Sequence, residues 1–389
     1  MRKSVKSASK IITGITGFWN SARRNRHKMI HIAKPLLDEK EIEAVSNVLR
    51  SGIIAEGACV GEFEAKFADY IGVEHAVAVN SGTAALHASL LAHGIGAGDE
   101  VITTSFSFIA TANSIFFTGA KPVFADIERE TFNIDVDSIV DKITPKTKAL
   151  MPVHLYGHAA QMKAIMDIAE DHKLIVIEDA CQAHGATYGG KKVGSFGTGS
   201  FSFYPTKNMT TSEGGMITTD DKRVAERARM IRSHGSKQRY LHEMVGFNLR
   251  MTDISAAIGL VQLGKLDDFT LMRQRNARVL SGGLGDIDGI TIPVIKDGCS
   301  HVFHQYTIRA EKRDELATML NRSGIGTGIY YPLPIHKQPV YRDLGYNDNL
   351  PECDKAAGEA LSLPVHPSVS KDNLKTIVEV IKNWVEAND

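Results

Sequence analysis

Cysteine is scarce in this 389-residue chain, with only Cys59, Cys181, Cys299 and Cys353, widely scattered and without a CxxC pair. That spacing excludes a disulfide framework and the common zinc motifs, and it fits reduced thiols in a cytoplasmic protein. No run approaches the roughly 20 uninterrupted apolar residues that a membrane helix needs. An excess of one charge is missing too. The 45 basic residues face 45 acidic ones, so the electrostatic footprint of a dedicated nucleic-acid binder is absent. The 15 histidines show no metal-ligand spacing, and no metal is expected. What remains is an average globular composition, 43% hydrophobic and 23% charged. The length allows two or three domains, or one large core with a smaller appendage.

One local absence is sharper. Residues 1–28 hold eight Lys and Arg residues and no acidic residue, which leaves the rest of the chain with 37 basic against 45 acidic residues. The apolar run Ile11–Trp19 is broken by Thr and Gly and lacks a small-residue cleavage site, which argues against a secretory signal. A transit peptide, a disordered tail, or codons upstream of a start at Met29 all fit. The reading adopted is a basic, poorly ordered extension over 1–28.

From about residue 76, short apolar runs alternate with helical stretches. The runs are Ala76–Asn80, Glu100–Ser105, Lys121–Asp126, Ala149–Leu155 and Leu174–Asp179, followed by Gly199–Tyr204 and Gly215–Thr219. Strands as uniformly apolar as Leu174–Glu178 are buried on both faces, and the links between them, such as Gln161–Lys173, are amphipathic. That is the βαβ pattern of an α/β fold with a mostly parallel sheet; the last two runs are hairpin-like, so the sheet is mixed. Beyond residue 265 the texture changes. A polar helix, Leu266–Leu280, leads into strands near Val302–Ala310 and Gly328–Tyr331, with helices near Arg313–Ser323, Asp354–Leu361 and Lys371–Ala387. This predicts a large domain over 29–265 and a smaller α+β domain over 266–389.

Four segments fall at the ends of predicted strands, where α/β sheets place ligands. In Asn80-Ser-Gly-Thr-Ala-Ala-Leu86, a strand-to-helix junction offers free N–H groups to an anion, although an ordinary helix cap fits as well. Ile177-Glu-Asp-Ala-Cys-Gln-Ala-His184 brings Asp179 out of a buried strand, where it caps a helix or meets a cation or donors. Ser200-Phe-Ser-Phe-Tyr-Pro-Thr-Lys-Asn208 sets a lone lysine among aromatic and small residues, where a lowered pKa would make it a nucleophile toward carbonyls. Ser105-Phe-Ser-Phe-Ile109 supplies aromatics for the core or for a stacking surface. A phosphate cradle, a stacking face, a strand-borne acid and an isolated lysine are together what pyridoxal 5'-phosphate asks of a protein. The lysine forms the Schiff base, and the acid keeps the pyridine nitrogen protonated.

The run Glu178-Asp-Ala-Cys-Gln-Ala-His-Gly185 is followed by Gly194-Ser-Phe-Gly197, Phe201-Ser-Phe-Tyr-Pro-Thr-Lys-Asn208 and Glu213-Gly-Gly215. With Ser81–Leu86, Gly246-Phe-Asn-Leu-Arg-Met-Thr-Asp253 and Ile329-Tyr-Tyr-Pro-Leu-Pro-Ile-His-Lys-Gln-Pro339, it resembles the DegT/DnrJ/EryC1/StrS family of nucleotide-sugar aminotransferases. The resemblance implies the fold of type I pyridoxal-phosphate transferases. It also implies Lys207 as the Schiff-base lysine, Asp179 on the pyridine nitrogen, Gln182 on the ring's hydroxyl side and Phe108 stacked on the ring. Gly82, Thr83 and Ser202 would hold the phosphate, with Asn248 entering from the neighbouring subunit of a homodimer. The second aromatic usual beside that Asn is Leu249 here, and Cys181 stands where the family often has Ala.

By the same resemblance, Tyr330, Tyr331 and His336 close over the sugar nucleotide. His184 either touches substrate or caps a turn, and His154 orients a strand end. The implied reaction moves an amino group from glutamate to a nucleotide-linked keto sugar. The Tyr-Tyr-Pro-x-Pro-x-His form points to a UDP-linked 3-keto hexose or hexuronic acid, with a 4-keto-6-deoxy sugar as the alternative. Sugar 3-dehydratases of the family carry His in place of the lysine, so Lys207 disfavours them. A non-catalytic regulatory protein on the same scaffold is disfavoured by the intact Lys207, Asp179 and Gln182. A cysteine desulfurase lacks its reactive cysteine here.

Overall fold

A computed structural model describes residues 29–387 of the chain; the basic extension expected over 1–28 lies outside the described residues. All seven predicted strand runs form strands of one sheet: β1 (His75–Val79), β2 (Glu100–Thr104), β3 (Lys121–Ala125), β4 (Thr147–Met151), β5 (Ile175–Asp179), β6 (Thr198–Ser202) and β7 (Gly215–Thr219). Their spatial order is β1-β7-β6-β5-β4-β2-β3. The pairs from β6 to β3 are parallel, whereas β7 runs antiparallel to both β6 and β1. The sheet is mixed as expected. The run Ala149–Leu155 is shorter than predicted because it reaches Pro152, which has no N–H to give the ladder.

Helices cover both faces. The large-domain helices used below are α1 (Glu39–Ser51), α2 (Ala58–Ile71), α3 (Gly82–Ala92), α4 (Ala110–Phe117), α5 (Met162–His172), α6 (Lys222–Arg232) and α7 (Asp253–Leu263). Strand alternation sorts the core between them. Ile177 of β5 packs with Leu86 and Ile115 on the α3/α4 face, whereas its neighbour Val176 packs with Ile165 and Ala169 of α5 on the other. Across β1, β6 and β7 the α2 face carries Phe63, Phe67, Phe201 and Phe203, whose rings meet edge-on or tilted.

Asp253 organises this α2 face. Its carboxylate accepts from the N–H groups of Gly57 (2.8 Å), Val60 (3.0 Å) and Cys59 (3.3 Å), capping α2 from a distant point in sequence. Gly57 has to be glycine, since a Cβ there would lie 2.6 Å from Asp253 Oδ2.

The small domain is a three-stranded antiparallel sheet, β8 (Ile290–Thr291), β9 (Tyr306–Ala310) and β10 (Ala360–Leu363), packed by α8 (Leu266–Leu284), α9 (Arg313–Arg322) and α10 (Lys371–Glu386). Its core joins Leu280, Tyr306, Leu320, Leu363 and Ile377 to Ile30 from the other end of the chain. Ile30 is bound there by its N–H to Gly324 (2.9 Å) and its carbonyl to the Gly326 N–H (2.8 Å). Ile30 thus packs in the core formed by residues beyond 266, although it lies at the other end of the described chain. The two chain crossings between the domains are fastened together. Lys265, between α7 and α8, donates to Glu41 (2.7 Å) and pairs with Asp38 (2.9 Å) at the start of α1. No strand forms over the predicted Gly328–Tyr331. Only Gly328 pairs, with Ser362, and the backbone turns left-handed at Tyr331 (φ 59°). Among the described residues, no helix is long and apolar enough to cross a membrane.

Replacing Asp253 by Ala strands three main-chain donors at the start of α2. The expected loss is about 3 kcal/mol, read from the urea midpoint of unfolding.

Candidate active site

The C-terminal ends of β5 and β6, the start of α3 and the small-domain segment around Tyr331 enclose a cavity of about 450 Å³. Adjacent carboxylates at the end of β5 point to opposite faces of the sheet. Asp179 faces α4, where Oδ2 accepts from Thr111 Oγ1 at 2.7 Å and Oδ1 from the Cys181 N–H at 3.2 Å. Thr111 is itself held by Ser107 (2.9 Å). Asp179 lines the cavity with its orientation fixed from two sides.

Glu178 faces the other way and is fully buried. It accepts from the N–H groups of Gly194 (2.8 Å), Phe196 (2.8 Å) and Gly197 (3.0 Å) and from His154 Nε2 (3.1 Å). The Ala160 N–H donates to His154 Nδ1 at 3.0 Å, which leaves the ring proton on Nε2, facing Glu178. Burial pushes the Glu178 carboxyl up, but these donors outweigh it and hold it below its ordinary range. His154 orients this strand end, as expected.

Lys207 follows the turn closed by its own N–H on the Tyr204 carbonyl (2.9 Å), and its side chain opens onto the cavity. Burial lowers its amine pKa, against the opposing pull of Cys181 and Asp179. At the start of α3, Ser81 caps the helix by accepting from the Ala84 N–H (3.1 Å). The N–H groups of Gly82 and Thr83 have no acceptor among the described residues. A Cβ on Gly82 would lie 2.6 Å from Ser202 Cβ and 3.1 Å from Cys181 Sγ, so glycine alone lets α3 and β6 approach and form this cradle. Phe108 presents an aromatic ring that is 59% exposed on the cavity wall.

Lys207, Asp179, Gln182, Phe108, Gly82, Thr83, Ser202, Tyr330 and Tyr331 therefore meet in one cavity. Three predicted residues lie elsewhere. His184 is buried against Phe201 and Phe203 below the cavity, and neither ring nitrogen makes a well-formed hydrogen bond. Burial, then the nearby Lys207 charge, lowers it to about 3; it is a neutral packing residue and not a substrate contact. His336 is also buried, with Nδ1 2.7 Å from Ser105 Oγ and Nε2 3.8 Å from Asp354. It anchors the Tyr330–Pro334 turn to the end of β2 and is not placed to reach a diphosphate. Asn248 is exposed and lies outside this cavity. Thr111 and Tyr156, which fix Asp179 and Gln182, were not read from the sequence; nothing in their local pattern separates them from core residues. Among the described residues, no cluster of side chains could hold a metal ion.

A buried amine, a fixed carboxylate, an aromatic wall and a helix start that admits an anion fit pyridoxal 5'-phosphate, at the strand ends of a fold type I sheet. Its pyridine nitrogen would meet Asp179, and its phosphate would meet the Gly82 cradle. The chain is a pyridoxal-phosphate-dependent transferase.

More narrowly, it belongs to the DegT/DnrJ/EryC1/StrS aminotransferase family, whose model matches residues 35–382. A pleiotropic regulatory protein of Geobacillus stearothermophilus is 47% identical over 366 residues, covering 90% of this chain and 98% of its own. The dTDP-3-amino-3,4,6-trideoxy-alpha-D-glucose transaminase of Streptomyces venezuelae is 40% identical over 349 residues, covering 89% of this chain and 92% of its own. The crystal structure of S. venezuelae DesV in complex with a ketimine intermediate superposes with a TM-score of 0.87 at 39% identity, covering 90% of this chain and 95% of that one.

The Glu178 clamp has a pH signature. Because its pKa is lowered in the fold, its stabilisation is complete above the ordinary value of 4.5 and is lost as pH falls through the depressed value. Urea midpoints should therefore fall more steeply below about pH 4.5 for the parent chain than for Glu178→Gln, which cannot titrate.

Proposed function

We propose that this chain moves an amino group from glutamate to C3 of a nucleotide-linked keto sugar, a UDP-linked 3-keto hexose or hexuronic acid. The observation that carries the reading is the Lys207 amine, its pKa lowered by burial, opening onto the same cavity as the fixed Asp179 carboxylate. When bound, pyridoxal 5'-phosphate supplies the electron sink that makes the proton beside a nitrogen labile. Lys207, neutral more readily than an exposed lysine, takes that proton and returns it one carbon away. Thr111 and the Cys181 N–H keep Asp179 facing the ring nitrogen. Gly82, Thr83 and Ser202 hold the phosphate, and Phe108 covers the ring face. C3 is supported by the 3-amino sugar in the name of the S. venezuelae relative.

The enzyme acts in the cytoplasm as a homodimer with shared sites. Supporting this, Asn248 is exposed near the exposed apolar residues Tyr240, Val245 and Phe247. The name of the G. stearothermophilus relative favours a second, regulatory reading. Addition of glutamate separates the two, since only an aminotransferase converts the bound chromophore and releases 2-oxoglutarate.

Lys207→Ala should abolish turnover and covalent cofactor attachment while still binding pyridoxamine phosphate; parent-like turnover would overturn the assignment. Proton NMR of the product from UDP- and dTDP-keto sugars should place the new C–N bond at C3, and a C4 amine would return the reading to 4-keto-6-deoxy sugars. For the shared sites, co-expressing Lys207→Ala with Asn248→Asp should restore about a quarter of the parent activity, because each mixed dimer regains one intact site. No restoration would mean that Asn248 does not act across the dimer.

A further inference from the structure

Gln182 leaves β5 three residues after Asp179, and both ends of its amide are engaged. A main-chain N–H can only donate, so the Tyr156 N–H, 2.9 Å away, fixes which end is Oε1. Nε2 then donates to the Tyr331 hydroxyl at 2.8 Å. One Nε2 hydrogen remains, on a side chain that lines the cavity.

The two anchors come from distant parts of the chain. Tyr156 follows β4, whereas Tyr331 lies in the turn that His336 fastens to Ser105 at the end of β2. Both sit in the left-handed region, at φ 56° and 59°, which L-residues with large side chains seldom adopt. Ring packing holds them there. Tyr156 and Tyr331 stack at 6.2 Å, Phe106 meets Tyr331 edge-on at 5.6 Å, and Phe132 meets Tyr156 edge-on at 5.5 Å. Tyr331 is thus clamped by its ring, its backbone and its hydroxyl, which suits a fixed support better than an adaptable contact for a sugar.

We propose that Tyr331 is a positioning residue for the cofactor: its hydroxyl holds the Gln182 amide with the remaining Nε2–H toward the cofactor's ring hydroxyl. The inference rests on the reading of the cavity as a pyridoxal-phosphate site with Gln182 on the hydroxyl side. A donor at that ring oxygen stabilises its ionised form and lowers the pH at which the bound chromophore titrates. Loss of the donor raises that pH.

Tyr331→Phe keeps the rings and removes only the acceptor. Spectrophotometric titration of the holoenzyme should show the midpoint raised by about half a pH unit. The kcat should fall about three- to tenfold, with the KM for the sugar nucleotide within about twofold of the parent value. Gln182→Ala should shift the midpoint in the same direction, and the double variant should shift no further than Gln182→Ala alone. An unchanged midpoint, additive shifts, or a raised KM with an unchanged midpoint would overturn the proposal, the last making Tyr331 a substrate contact. A protein that takes up no chromophore from added pyridoxal phosphate would instead defeat the underlying reading, and the proposal with it.

Discussion

Two neighbouring carboxylates at the end of one buried strand set the terms for everything around them. Pleating sends Glu178 and Asp179 to opposite faces of the sheet, and neither can stay ionised in a dry interior without donors. On one face, three loop N–H groups and His154 satisfy Glu178, which pins the loop 194–197 against the strand ends. On the other, Thr111 and the Cys181 N–H satisfy Asp179 and leave it facing the cavity. The first solution is spent wholly on the fold. The second keeps an oriented charge within reach of a ligand, and the order of the chain around β5 follows from providing both.

The sheet was legible because its strands are short, apolar and β-branched, and because buried parallel strands have no polar face to confuse the pattern. The site was legible where special chemistry leaves a local mark: a lone lysine among aromatics, an acid ending an apolar strand, a glycine at a strand-to-helix junction. His184 and His336 were misread because a histidine in a motif looks the same whether its ring faces a cavity or is buried beneath one. Thr111 and Tyr156 left no mark at all. Their roles arise from contacts with Asp179 and Gln182, 68 and 26 residues away, that only the closed sheet creates.

The turn at Tyr331 hid for a related reason. An aromatic pair before proline reads as extended chain, yet tertiary packing overrides that preference and bends the backbone left-handed. Tyr156 and Tyr331 share this conformation at the cavity wall, as does Phe132 packed edge-on against Tyr156 behind them, each at a cost of about 1 kcal/mol that the ring cluster must offset. Such strain persists where surrounding contacts over-determine the geometry, and here it fixes the floor on which Gln182 rests.

Ile30 gives the molecule an unusual joint. Because Ile30 packs in the small-domain core and the chain reaches that core again after α7, two links, not one, join it to the large sheet among the described residues. Lys265 draws those crossings to within ion-pair distance of each other through Asp38 and Glu41. A body tethered at two well-separated points can swing only about the line between them. Tethered at two points that nearly coincide, it keeps a single pivot. The two links therefore act at one place, and the seating of the rest of the small domain falls to its own contacts with the large one, such as His336 on Ser105.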